Sequence, residues 1–430
     1  MNNIAVELNG VLEETVAGRL LSPLGKRLYF PKGIVAQSAE ATKHAKRLNA
    51  TIGIAKKGSA PMSLPSIRND LPALKPEEIF PYAPTQGVQE LREFWKAEMV
   101  RKNPDLGGKR FSMPLVVPGL TAGVSLLSDL FAAKGDRLVL PDKYWDNYPL
   151  IFETRHEARL VTFPFYTKAG GFNLEGLRGA LRKAGGRGKL ILLLNFPNNP
   201  TGYSPTLEEA RGIVEAVKET AASGVQVLAI TDDAYFGLFY EEGTFRQSLF
   251  AHLADAHENI LAVKVDGSTK EDLTWGFRIG FLTFASKGMG ENAYDALVAK
   301  LMGAVRSTVS NSSILAQSLL LRASRSADRD REKKEAFLEM EARYRRAKES
   351  VSRASSSVLT PLPFNSGYFM SFRLKKGNAE DLRKALLMDE GVGTIAIDPQ
   401  CLRVAYSSVD LEKLEDLFST IYRTAERLFG

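Results

Sequence analysis

The sequence predicts an α/β protein, with a large domain on a mostly parallel seven-stranded sheet and a smaller α+β domain. Three observations carry this. Seven short apolar runs between residues 114 and 285 alternate with helical stretches, the pattern of a parallel sheet covered on both faces. A length of 430 residues is too great for one simple core and comfortable for two lobes. Beyond residue 320 the alternation gives way to a long charged helix, short strands and further helices.

In order, the strands are PLVVP (114–118), RLVLP (137–141), ARLVTFPF (158–165), KLILLLNF (189–196), VQVLAITDDAY (225–235), ILAVKVDG (260–267) and RIGFLTFA (278–285). The helix at 121–134 follows the first. Another at 206–223 opens with Thr206 and Glu209, spaced as a capping box. No long crossover helix precedes the seventh run, so it is expected to run antiparallel. The C-terminal lobe comprises a helix over about 325–355, the stretch SSVLTPLPFNSGYFMSFRL, a helix at 379–388, GVGTIAI, CLRVAYSS and a last helix from 409. The N-terminal region has one clear helix, AEATKHAKRLNA, and a Pro/Gly-rich segment, too little for a domain alone. Residues 76–320 are therefore assigned to the large domain. Residues 1–75 and 321–430 go to the small one, with an N-terminal extension expected near the site entrance or across a dimer.

Composition narrows the function. Hydrophobic and charged fractions of 44% and 25% are those of a soluble globular protein. No apolar run approaches the roughly 20 residues of a membrane span, and the N-terminus lacks the basic, then apolar pattern of a secretory signal. A single cysteine, Cys401, precludes an internal disulfide framework and fits a reducing, cytoplasmic setting. The net charge of +7 admits nucleic acid or an anionic substrate. The basic residues are spread, however, and the densest cluster (325–350) alternates with acids as a solvated helix does. The four histidines have no cysteine pairs nearby, so no metal site is expected.

The chemistry is read at the strand ends, because ligands of open α/β sheets bind beyond their carboxyl edges. Gly119, Leu120 and Thr121 open a helix whose free N–H groups suit a phosphate, although a glycine there also serves as an ordinary turn. Trp145 lies in the loop DKYWDNY, as a stacking plate or a packing ring. NFPNNPTGY (195–203) halts the most apolar strand with a rigid turn that neither helix nor strand continues through. Asp232, Asp233 and Tyr235 end the fifth run, and Ser268, Thr269 and Lys270 follow the sixth, with Arg278 eight residues on. Together these form a kit for a phosphorylated heteroaromatic ring whose aldehyde meets an amine.

In NNPTG (198–202), DDAY (232–235), KEDLTWGFR (270–278) and LRVAYSS (402–408) the sequence resembles the class I/II aminotransferases, closest in motif to the aspartate and aromatic enzymes. These are fold-type I enzymes dependent on pyridoxal 5'-phosphate (PLP). The likeness spans roughly residues 50–410. It implies an aminotransferase moving an amino group from an α-amino acid to a 2-oxo acid by ping-pong chemistry, as a homodimer with shared active sites.

The resemblance also implies roles. Lys270 binds the cofactor and moves the substrate proton, Asp232 pairs with the pyridine nitrogen, and Tyr235 and Asn199 bond the ring oxygen. Trp145 stacks on the ring, while Arg278, Gly119, Leu120 and Thr121 hold the phosphate, with Tyr82 reaching it from the neighbouring subunit. Where many relatives carry a phosphate-binding serine this chain has Gly267, so Ser268 or Thr269 is expected to take over. Arg403 and Asn199 grip the substrate α-carboxylate, with Gly53 close by. Arg306 falls where a partner arginine meets a distal carboxylate, or is a surface charge at a helix end. The alternative reactions on the same scaffold are those of a PLP-dependent lyase or decarboxylase. A DNA-binding regulator on this fold needs a helix-turn-helix module, for which too little chain precedes residue 50.

Overall fold

The computed structural model describes residues 1–12, 21, 23–27, 33–58, 60–70 and 73–430. The rest of the N-terminal extension lies outside the described residues.

All seven runs form strands of one sheet: β1 (Leu115–Val117), β2 (Arg137–Pro141), β3 (Arg159–Phe163), β4 (Lys189–Asn195), β5 (Gln226–Asp232), β6 (Ile260–Asp266) and β7 (Gly280–Ala285). Their spatial order is β1-β7-β6-β5-β4-β2-β3. β7 alone is antiparallel to its neighbours β6 and β1, as its short connection requires. The central strands are buried nearly end to end, which is why they read as unbroken apolar runs rather than alternating ones.

Helices cover both faces of this sheet, giving one core cluster on each side. They include α2 (Gln89–Lys102), α3 (Leu120–Phe131) and α4 (Leu207–Ala222), numbered after α1 (Ile34–His44) of the N-terminal region. The expected capping box at α4 is formed. The Glu209 amide donates to Thr206 Oγ1 at 3.2 Å, and the Thr206 amide donates to Glu209 Oε2 at 2.8 Å.

A third core belongs to the C-terminal lobe. There α5 (Arg329–Arg353) and two shorter helices back an antiparallel sheet of Leu359–Pro361, Met370–Leu374, Cys401–Val404 and Ile395–Asp398, in that spatial order. The chain passes between the lobes before residue 70. Leu48, Ala50 and Ala55 lie in the C-terminal core, and Leu64 and Ile67 in one of the large-sheet cores. The helix expected over AEATKHAKRLNA lies earlier than the sequence suggested. It ends at His44, and Leu48–Asn49 leaves it to pair in parallel with Val392–Gly393. A tertiary pairing overrides the local helical preference there.

Two buried charge networks fix the ends of β5 and β6, where the site forms. Lys264 on β6 lies between Asp233 and Asp266, 3.0 Å from the latter, and all three are buried. Ser248 Oγ donates to Asp233 at 2.6 Å, and Trp95 Nε1 to Asp266 at 3.1 Å. The second network ties the turn after Lys270 to α2 and α5. Glu271 takes Lys102 and Lys333, Asp272 takes Arg329 at 2.7 Å, and Glu98 takes Arg101 at 2.6 Å and Lys102 at 3.4 Å.

Burial pushes the Glu98 carboxyl up, but the Arg101 hydrogen bonds and the Lys102 and Arg329 charges outweigh it, holding the pKa at about 2. A depressed carboxylate stabilises the fold above its unfolded pKa and loses that contribution as pH falls through the folded one. The free energy of unfolding is therefore expected to decline between about pH 4.5 and 2. Glu98→Gln should lower stability at pH 7 and flatten that part of the decline. Equilibrium denaturation of both forms across this range checks it, and parallel curves would refute the assignment.

Candidate active site

The carboxyl ends of β1, β4, β5 and β6 open on a pocket of about 150 Å³. Leu120, Thr121, Trp145, Asn199, Asp232, Tyr235, Lys270 and Arg278 of the expected residues line it. So do Tyr148, Asn195, Ala234 and Thr269, which sequence reading did not single out, save Thr269 as an alternative to Ser268.

Lys270 is held in a short helix, Ser268–Glu271, between β6 and β7. Its ammonium centre is 4.5 Å from the Tyr235 ring centroid. Burial lowers its pKa to about 8. The Asp232 charge opposes that shift and the Arg278 charge adds to it, so a sizeable share of the amine is neutral near pH 8.

Asp232 ends β5 and is buried. Its Oδ2 accepts from the Tyr148 hydroxyl at 2.7 Å, and its Oδ1 from the Ala234 amide at 3.1 Å. Burial pushes its carboxyl up, against the Tyr148 hydrogen bond and the Lys270 charge. Tyr148 is the larger omission from the sequence reading. Its signal was present as the last residue of WDNY, three beyond Trp145, and the two rings meet edge to face at 5.5 Å. Burial likewise raises the Tyr235 phenol, with Arg403 opposing and Asp232 adding.

The NNPTG turn is built for fixed position. Asn195 Nδ2 donates to the Asp232 carbonyl at 2.8 Å, and its Oδ1 accepts from the Asn199 amide at 2.8 Å. Thr201 donates its amide and hydroxyl to Asn198 Oδ1. Gly202 has φ +71°, and a Cβ there would stand 1.9 Å from the Phe369 carbonyl oxygen, so only glycine lets the two lobes meet at this point.

Arg403, on the small-domain sheet, is 2% exposed. Its Nη1 donates to Asn199 Oδ1 at 2.9 Å and its Nη2 to the Thr51 carbonyl at 2.8 Å, while Nε is buried without a partner among the described residues. The guanidinium lies 4.4 Å from the Phe369 ring centroid. Burial lowers its pKa to about 10, opposed by Tyr235 and Asp146, so the group is charged at neutral pH and short of an anion. Gly53 is packed close by. A Cβ on it would be 2.9 Å from Phe369 Cζ and 3.4 Å from the Tyr235 hydroxyl.

Gly119 has φ +89°, and a Cβ there would sit 2.4 Å from Arg278 Nη2. The guanidinium can thus lie against the start of α3, beside the free N–H groups of Leu120 and Thr121. Ser268 stands apart from the pocket. Its hydroxyl is turned away, accepting from Thr274 Oγ1 at 2.8 Å, and it does not line the pocket. The neighbouring Thr269 does, with its hydroxyl buried and unpaired among the described residues, because one residue along a helical turn rotates the side chain by about 100°. Gly53, Gly119 and Arg403 touch lining residues without lining the pocket themselves, and two further expected residues lie on the surface. Tyr82 is 90% exposed, and Arg306 donates to Ser310 at the end of the helix Glu291–Thr308.

Comparison with known proteins agrees with this geometry. A relative from Aquifex aeolicus, described as a probable aspartate/prephenate aminotransferase, is 29% identical over 47% of this chain and 48% of its own. A probable N-acetyl-LL-diaminopimelate aminotransferase from Bacillus subtilis is 24% identical over 50% of each chain. The chain thus spans about half the length of the curated relatives it matches. Among solved structures, an aminotransferase from Anaerococcus prevotii superposes with a TM-score of 0.82 at 23% identity, over 93% of this chain and 98% of that one. A kynurenine aminotransferase from Pyrococcus horikoshii gives 0.80 at 16% identity, over 96% and 98%. The fold is that of the fold-type I enzymes. With the family described as "Aminotransferase class I and II" matching residues 47–421, the chain belongs to that family.

Proposed function

We propose that the protein is a PLP-dependent aminotransferase acting on an α-amino acid and a 2-oxo acid. The observation that carries this is the meeting of a half-buried amine (Lys270) and a buried carboxylate (Asp232) on one pocket, with a buried arginine (Arg403) bonded to Asn199 of its lining. The family as a whole is PLP-dependent, and the residues fit that group. Arg278, the α3 amides and the unpaired Thr269 hydroxyl suit its phosphate, and Trp145 its ring face. Asp232 suits a protonated ring nitrogen, and Tyr235 and Asn199 its ring oxygen. Bound there, PLP supplies an electron sink for charge developing at the substrate Cα.

The chain's own residues do the rest. Asp232, held by Tyr148, keeps a proton on the pyridine nitrogen by presenting a fixed negative charge in a dry setting. Arg403 binds the substrate α-carboxylate and sets which Cα bond faces Lys270. The Lys270 amine, when neutral, takes the proton from the substrate Cα as a base and, once protonated, can give a proton back as an acid. The same grip serves amino acid and 2-oxo acid in turn, because both carry that carboxylate.

Tyr82 and its neighbour Phe80, 90% and 80% exposed, support a homodimer in which each copy covers these rings and lends Tyr82 to the other's phosphate. In that arrangement Arg306 is the candidate for a distal carboxylate of dicarboxylic substrates; aromatic donors remain within the proposal. The buried free thiol of Cys401 accords with a cytoplasmic enzyme. No helix among the described residues is long and apolar enough to cross a membrane.

The direct test is to load the protein with PLP and supply glutamate, aspartate, tyrosine or alanine. Loss of the yellow colour with release of the matching 2-oxo acid is expected for at least one donor. Ammonia or carbon dioxide in its place would point to the lyase or decarboxylase. Lys270→Ala should lower kcat by about 10⁴-fold or more while the protein still binds PLP non-covalently. Replacing Arg403 by lysine, which cannot form the bidentate fork, should cost roughly 2–3 kcal/mol, or about a hundredfold in kcat/KM for the amino acid. Because only the neutral amine captures an aldehyde, covalent uptake of PLP by unloaded protein should rise about tenfold per pH unit and level off above about pH 8. Stopped-flow absorbance follows this, and a midpoint near the ordinary lysine value of 10.5 would contradict the buried state of Lys270.

A further inference from the structure

A second, larger cavity of about 510 Å³ lies behind Lys270. It shares that one residue with the pocket described above and no other. Its walls come from both lobes: the segment 236–239 and Arg246 of the large domain, the end of α2, and the first turns of α5. The volume falls in the range of small-molecule sites.

Its chemistry is divided. Phe236, Phe239, Phe337, Leu238 and Met340 make an apolar body, in which Met340 can adapt to a ring. Six basic side chains line it against two acidic ones. Glu271 is already shared by Lys102 and Lys333, and Arg101 is bound to Glu98. Lys270 also lines the catalytic pocket, which leaves Lys334, with no ion pair or hydrogen bond among the described residues, and Arg246, whose one bond is a 3.5 Å contact from Nη2 to the Glu241 carbonyl. These two charges stand on separate elements at one apolar cavity. The inner wall includes Tyr368, whose hydroxyl is buried without a partner among the described residues and whose ring packs edge to face on Tyr235 at 5.6 Å.

We propose that this cleft is a second ligand site, distinct from the catalytic pocket, for a small organic anion with an aromatic body and one acidic group. The rings and Met340 enclose the body, and Lys334 and Arg246 receive the charge. An anion suits the basic excess, and a single acidic group suits a cavity whose interior is mostly apolar. A ligand here touches α5, which carries the small domain, and the large-domain segment that follows Tyr235. It therefore bridges the two lobes at one ring's remove from the site. The proposal does not depend on the reaction assigned above.

The test is equilibrium dialysis of naphthalene-2-sulfonate against the full chain, with and without saturating PLP. One site per chain is expected, retained when PLP is bound and weakened by added salt. The double variant Lys334→Glu/Arg246→Glu alters two exposed side chains outside the catalytic pocket. It should weaken binding about tenfold or more while leaving PLP uptake intact, which also reports that the fold is preserved. Ala336→Trp, which places an indole in the cavity, should abolish binding. Neutral 2-naphthol should bind at least tenfold more weakly than the sulfonate. Displacement of the probe by PLP, or unchanged binding in both variants, would overturn the proposal.

Discussion

The structure turns on one constraint: a half-buried primary amine and a buried carboxylate, Lys270 and Asp232, are held beside one pocket at the ends of adjacent parallel strands. Neither group is at ease there. Burial drives the amine toward its neutral form and the carboxyl toward its protonated form. Those tendencies make the pair useful, since a base must be partly neutral and a counter-charge must act across a medium that does not screen it. They also oblige the surroundings to hold Asp232 by direct bonds. Tyr148 and the Ala234 amide hold Asp232, and the Lys264–Asp233–Asp266 network clamps the strands that carry the pair. Removing one member of such a network leaves an uncompensated buried charge, the costly direction of change.

Much of this was legible because a doubly covered parallel sheet writes itself as unbroken apolar runs. All seven were visible, and the antiparallel sense of β7 followed from the short chain before it. The turn at NNPTG was legible for a similar reason, since proline and glycine admit few backbone conformations. What escaped were choices decided across space. Whether Ser268 or Thr269 faces the pocket depends on the rotation of a single helical turn. Tyr148 looked like any tyrosine in a loop until Asp232 stood 2.7 Å from its hydroxyl. The helix α1 ended early because Leu48 and Asn49 found a strand more than 340 residues away. Tyr82 and Arg306 belong to a different category: their proposed partners lie on a second copy, which one chain does not contain.

The two lobes meet at the NNPTG turn, and the meeting explains its rigidity. Asn199 faces both ways, its amide fixed by Asn195 of the large sheet and its side-chain oxygen accepting from Arg403 of the small one. Three residues on, Gly202 admits the Phe369 carbonyl where any side chain would collide. Ser204 and Asn365 then exchange two hydrogen bonds at 2.8 Å. A loop free to shift by an ångström would uncouple the grip on a substrate carboxylate from the ring contact beside it. Such a loss of alignment costs far more than the strain of the turn. The proline-and-glycine stretch thus forms a fixed joint, through which the recognition proposed at Arg403 and the chemistry proposed at Lys270 would share one rigid frame.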